Sequence, residues 1–202
     1  MSDISEDEAT DDETTDVERS EIERHQGEEL KILPRNLWDP QDSPRPMDRM
    51  KYPLKAVYWT NSQSKPCYNQ KQCLRRIREL QEFHLKGGMF DIPFNFLVGG
   101  DCKIYEGRGW DWGCLLPYTR RQIIDMYKHP YQNCSLVIAY IGKTLERDLN
   151  HPMVQAGDRL VDYARDNNMI IPGFETIVKP YWVAYAKNMF AAEADVQDPG
   201  RG

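Results

Sequence analysis

Metal and nucleophile chemistry need a few residue types at close spacing, and this chain of 202 residues keeps those types apart. Its four histidines are His25 in an acidic stretch, His84 within a helical pattern, His129, and His151 before a proline. No pair has a ligand spacing such as H-x3-H, whereas a catalytic zinc takes three protein ligands and keeps one position open for water. No G-x-S-x-G elbow is present to raise a serine nucleophile. Five cysteines leave at least one unpaired, and Cys102, Cys114 and Cys134 read as small buried or turn residues. The pattern therefore predicts no catalytic residue, no metal site and no cofactor.

The elements that would position any site are clearer. Phe94, Phe96 and Val98 alternate with Asn95 and Leu97, Gly99-Gly100-Asp101 turns the chain, and Lys103-Ile104-Tyr105 leads back, which predicts a β-hairpin. Leu54 to Trp59 alternates with β-branched and aromatic content and predicts a central strand. Ser135 to Gly142 is nearly all apolar and predicts a strand buried on both faces. Asn69 offers an N-cap, and Leu74, Ile77, Leu80 and His84 recur at helical spacing until Gly87-Gly88. Pro152 opens a second helix carrying Met153, Ala156, Leu160 and Ala164, with an end at Asn167-Asn168. Thr119 can cap a short helix bearing Ile123, Ile124 and Tyr127, and Tyr181 to Tyr185 reads as the last strand. Strands alternating with amphipathic helices imply an α/β fold, a mixed central sheet flanked by helices.

Charge divides the chain. The first thirty residues hold thirteen Asp or Glu against two Arg, a net of −11, and the whole chain is −6, so residues 31–202 carry +5. Residues 1–32 lack aromatic residues and read as an acidic disordered tail, in which Ser2, Ser5, Thr14 and Thr15 suit an acidophilic kinase. Residues 33–53, with five prolines and no periodicity, read as an extended arm that Trp38 packs onto the domain. The modest surplus of basic residues is far below a nucleic-acid-binding signature. No apolar run reaches the ~18 residues that cross a bilayer, and the N-terminus has no secretory pattern. As written the chain is expected to be cytoplasmic, with a longer membrane-anchored form left open.

The order Asp91-Ile92, Phe94-Asn95-Phe96, Gly99-Gly100-Asp101 and Tyr105-Glu106-Gly107-Arg108-Gly109-Trp110 resembles the centre of the peptidoglycan recognition proteins of animal innate immunity. These are similar to bacteriophage zinc amidases, and the likeness runs in broken form from about Tyr52 to Gly200. It implies the amidase-like fold over residues 54–202, with a ligand groove on one sheet face and with the family's terminal helix missing beyond Gly202. It also implies a disulfide between Cys67 and Cys73, whose spacing fits a small closing loop, if the chain meets an oxidising compartment.

In the amidase members two histidines and a cysteine hold zinc, and a tyrosine assists. By the resemblance the first histidine's place is taken by Trp59, followed by Thr60, and the tyrosine's by Phe94. The second histidine's place falls on Ala186, and the cysteine's on Asp198 before Pro199-Gly200. Gly113-Cys114-Leu115 stands where a Gly-Ala-His segment is usual, and the stretch from 117 to 133 is longer than in the family. The implied protein is non-catalytic. As a pattern-recognition receptor it would grip peptidoglycan or a muropeptide through Trp59, Phe94, Asn95, Arg108 and Trp110. Each of these also has a structural reading: Phe94 and Trp110 as core, Arg108 paired with Glu106 or another acid. The second expectation is a regulatory or adaptor member whose partners are other immune receptors or signalling proteins.

Overall fold

The computed structural model describes residues 30–113, 133–142 and 151–178. The chain divides into Met1–Leu30 and Lys31–Gly202, and the fold below is that of the second unit. Its strands are β1 (Ile32–Leu33), β2 (Leu54–Asn61), β3 (Phe96–Val98), β4 (Ile104–Glu106), β5 (Ser135–Tyr140) and β6 (Ile170–Val178). They lie in the order β1-β4-β3-β5-β2-β6. Among the described strands β3 and β4 run antiparallel and every other neighbouring pair is parallel. The sheet is mixed, as the alternation of element types requires.

The hairpin forms where the glycines place it. Val98 faces Ile104 and Phe96 faces Glu106, and the turn closes through Gly99 N–H to Lys103 O (3.0 Å) and Cys102 N–H to Gly99 O (2.9 Å). Strand β5 is buried at all six positions, consistent with its unbroken apolar run.

Helix α1 (Gln70–Lys86) starts where Asn69 Oδ1 accepts the Gln72 N–H at 3.0 Å, satisfying one of the free first-turn donors. Its stripe of Cys73, Ile77 and Leu80 packs with Ala56 and Tyr58 of β2, Val137 and Ala139 of β5, and Leu97 of β3. Helix α2 (Pro152–Asp166) begins under a His151 cap, whose Nδ1 accepts the Met153 N–H at 3.2 Å. It serves the other face. A Cβ on Gly157 would lie 2.8 Å from Trp59 and 2.9 Å from the Tyr140 hydroxyl. Gly157→Val is therefore expected to destabilise the fold by about 1–3 kcal/mol through overpacking, read as a lowered midpoint in urea with an unchanged slope.

The arm is tied down as Trp38 predicts. After β1, residues Arg35–Trp38 make one 3-10 turn, and the Trp38 ring is fully buried. Its Nε1–H donates to Glu106 O at 2.8 Å. The Arg35 guanidinium lies over that ring at 4.7 Å and reaches both Asp91 carboxylate oxygens at 2.9 and 3.0 Å. Asp91, itself buried, also accepts the Gln81 side-chain N–H at 2.7 Å, so the arm, α1 and the segment before β3 share one polar junction.

Strand β6 is an element that the sequence reading did not name. The segment pairs with β2 on both sides of Pro172-Gly173. The register jumps from Leu54/Ile170 to Ala56/Glu175, and Gly173 takes a φ of +72° inside that bulge. A bulge absorbs a proline and a left-handed glycine that a regular strand rejects. The strand predicted at Tyr181–Tyr185, the helix predicted from Thr119, and Cys114, Leu115, His129, Ala186 and Asp198 lie outside the described residues, as do His25 and the tail hydroxyls.

Candidate functional site

The five residues expected to line a groove are placed on more than one face of the sheet. Phe94 is fully buried among the α1-side core residues, edge-on to His84 at a ring distance of 6.0 Å. Trp59 points to the opposite face of the sheet, where it stacks on Tyr140 at 5.8 Å and 9° and meets Gly157 of α2. The alternation of β2 makes this unavoidable: Ala56 and Tyr58 belong to the α1 side, so Trp59 belongs to the other.

The β2 residue on Phe94's side is Thr60, paired in register with Ala139 of the α1-side core and 2% exposed. Trp59 and Phe94, which the resemblance sets at the places of the first histidine and the tyrosine, therefore lie on opposite sides of the sheet. The alternation of LKAVYWT carried that signal.

Asn95 is fully buried and knits three segments together. Its Nδ2 donates to Gly109 O (2.8 Å) and Trp112 O (3.0 Å), and its Oδ1 accepts the Val137 N–H (2.9 Å). Arg108 is 4% exposed. Its Nε donates to Ile92 O at 2.7 Å and its Nη1 to Gly113 O at 2.6 Å, and Nη2 is buried without a hydrogen-bond partner. It forms no pair with Glu106, whose carboxylate accepts the Arg35 backbone N–H instead. Two of the five guanidinium N–H groups are taken by backbone carbonyls of different segments, so Arg108 acts as a clamp between the segment before β3 and the turn after β4.

The glycines around Arg108 make that turn possible. A Cβ on Gly107 would sit 2.3 Å from Phe94 O, and Gly109 takes a φ of +68°. The motif Glu106-Gly107-Arg108-Gly109-Trp110 is thus spent on backbone geometry. Only Trp110 of the five keeps a partly exposed side chain. Its ring lies 4.5 Å from Phe96 and 6.0 Å from Tyr163 of α2. The neighbouring Tyr52 donates its hydroxyl to Trp110 O at 2.6 Å, and burial together with the Asp111 charge pushes the Tyr52 pKa up to about 12.

Cys67 and Cys73 are disulfide-bonded, with Cα atoms 5.1 Å apart. The small loop they close rests on the hairpin turn: a Cβ on Gly100 would lie 2.4 Å from Cys67 O. Cys102 lies in the turn at a φ of 60°, and Cys134 is buried. Burial is the main cause that raises both pKa values, so neither is poised as a thiolate nucleophile. Among the described residues, no three His, Cys, Asp or Glu side chains gather as a metal would need.

His84 is the one buried histidine of the described core, with Nδ1–H directed at Leu80 O at 2.6 Å. Burial pushes its pKa down to about 4; the Leu80 bond and Asp91 oppose that shift, and the Arg108 charge adds to it. The unfolded chain therefore takes up a proton near pH 6.5 that the folded protein refuses until about pH 4. Stability present above pH 6.5 is lost as the pH falls through that window, by about 3 kcal/mol at its foot. His84→Gln keeps a donor for Leu80 O without the titration. Urea melts from pH 7.5 to 4 are expected to lose less stability in that variant than in the parent, and parallel losses would exclude His84 as the cause.

No protein-family model matches the chain. Known relatives do. The chain is similar to a peptidoglycan-recognition protein of Drosophila melanogaster, 30% identical over 148 residues, which are 73% of this chain and 75% of that protein. It is 31% identical to mouse peptidoglycan recognition protein 3 over 134 residues, 66% of this chain but only 35% of the mouse protein's length. Among solved structures, it superposes on Drosophila peptidoglycan recognition protein SD with a TM-score of 0.63 at 25% identity, covering 74% of this chain and 83% of that one. Peptidoglycan recognition protein LE gives the same score and identity, with 79% and 92% covered. That protein was solved with tracheal cytotoxin, a monomeric diaminopimelic acid-type peptidoglycan.

Proposed function

The chain belongs to the peptidoglycan recognition protein family, and from that premise we propose that it is a non-hydrolysing member that recognises peptidoglycan fragments in antibacterial immune sensing. The observation that carries the reading is the packing at the two positions that the resemblance sets at a zinc ligand and the assisting tyrosine: Trp59 is stacked on Tyr140 and Phe94 is fully buried in the core, and neither side chain offers a metal ligand or a hydroxyl.

Amide hydrolysis needs a metal to lower the pKa of a water and a group to stabilise the developing oxyanion. The Trp59 indole is a donor only and offers zinc no lone pair, and Phe94 keeps the ring of the tyrosine without its hydroxyl. Recognition needs neither. The family relationship and the muropeptide fragment bound by the LE protein support recognition as the retained activity.

The test is incubation of the full chain with soluble muropeptide and added zinc, followed by chromatography for free stem peptide. None is expected above a protein-free blank. Release that zinc stimulates and a chelator stops would overturn the non-hydrolysing reading.

A second reading, a regulator that contacts other immune receptors or signalling proteins, has its own support. Trp59, Phe94, Asn95 and Arg108 are all turned inward, which leaves few of the expected groups to grip a glycan. The two readings part on whether the folded protein binds peptidoglycan at all.

A further inference from the structure

The sheet begins at Ile32 and Leu33, paired with Ile104 and Tyr105 of β4, so residues 5–24 precede the first strand. Their sequence is a repeat. SEDEA, TDDET, TDVER and SEIER follow one another without a gap. Each pentad opens on a hydroxyl residue, Ser5, Thr10, Thr15 or Ser20. Each has Asp or Glu at the next position and a glutamate three after the hydroxyl, namely Glu8, Glu13, Glu18 and Glu23.

Acid density alone does not produce this. At the tail's composition roughly one hydroxyl in five would carry both acids by chance, yet four of the six Ser and Thr residues there do, at a constant spacing of five. The pattern also sorts the hydroxyls. Thr14 is followed by Thr15 and has Val17 three positions on, and Ser2 has Ser5 in that place. Neither fits, so of the four hydroxyls that their acidic surroundings first suggest, Ser2 and Thr14 drop out and Ser5 and Thr15 remain, joined by Thr10 and Ser20.

We propose that Ser5, Thr10, Thr15 and Ser20 are phosphoryl acceptors for an acidophilic serine/threonine kinase. Such an enzyme selects its site by pairing basic side chains with carboxylates just after the acceptor, and each pentad supplies two at fixed distance. In each transfer the hydroxyl oxygen attacks the γ-phosphorus of ATP, and the bond to the β-phosphate bridging oxygen breaks. ADP leaves, and the hydroxyl proton passes to the kinase's catalytic base. Each product phosphate carries about −1.5 to −2 at neutral pH, so full modification adds more than half again to the −11 of the first thirty residues. The assignment stands apart from the peptidoglycan reading, because it uses no residue of the folded domain.

The experiment treats the full-length chain, made in bacteria, with a kinase of the casein kinase 2 type and ATP, and reads intact mass and phosphosite positions. Up to four phosphoryl groups are expected, on Ser5, Thr10, Thr15 and Ser20. The variant with Glu8, Glu13, Glu18 and Glu23 all changed to Gln keeps every acceptor, and its initial rate of incorporation is expected to fall at least tenfold. Absence of incorporation while a control peptide is phosphorylated, an unchanged rate in the Gln variant, or sites at Ser2, Thr14 or in the domain would each overturn the proposal.

Discussion

Arg108→Ala is expected to lower the stability of the fold by about 2–6 kcal/mol, because two buried backbone acceptors lose their donor. The change opens a void and strands the Ile92 and Gly113 carbonyls, which the guanidinium now satisfies at 2.7 and 2.6 Å. Each stranded acceptor costs about 1–3 kcal/mol. Arg108→Lys keeps the charge and loses the fork, and one ammonium cannot reproduce two divergent bonds on these segments. It is expected to fall between parent and alanine. Urea unfolding of the three proteins checks this, and an alanine variant within about 1 kcal/mol of the parent would mean that the clamp does not hold these segments.

Trp38→Ala carries a comparable cost, about 3–5 kcal/mol for a fully buried aromatic, and its effect should be localised. Trp38 is the largest apolar group of the arm in the core, and its Nε1–H bond to Glu106 O (2.8 Å) pins the arm against β4. Without the ring, the Arg35 guanidinium loses its stacking surface. Hydrogen exchange should accelerate first at Ile104 to Glu106 and at Arg35, while α2 keeps its protection. Uniform acceleration across the sheet would show that the arm is not a separately releasable element.

These two predictions fall on residues that sequence reading treated unequally. Trp38 was legible as an anchor because an isolated tryptophan among prolines has few other uses. The hairpin, both helices and the buried β5 were legible because glycine punctuation and apolar period agree there with the tertiary outcome. Strand β6 was not, since a bulge tolerates the Pro172-Gly173 pair that local rules treat as a stop.

The site suffered from a subtler limit. A resemblance assigns positions along the chain, whereas a binding face depends on the parity of those positions in a strand. Trp59 and Thr60 are neighbours in the chain, yet they lie on opposite faces of the sheet. Arg108 illustrates the same gap in another form: its type and place in a glycine-rich motif suggested ligand binding, and only the backbone path of the turn, set by Gly107 and Gly109, shows that it faces inward to carbonyls. Asn95 likewise has the chemistry of a ligand contact, but Val137 N–H, Gly109 O and Trp112 O already occupy it.

Recognition without hydrolysis is tested most directly by a pull-down of the full chain, shown to be folded by its circular dichroism, on insoluble peptidoglycan of the lysine and diaminopimelate stem-peptide types. Saturable retention on at least one polymer, unchanged by a zinc chelator, is the expected result. A folded protein retained by neither polymer would contradict the account.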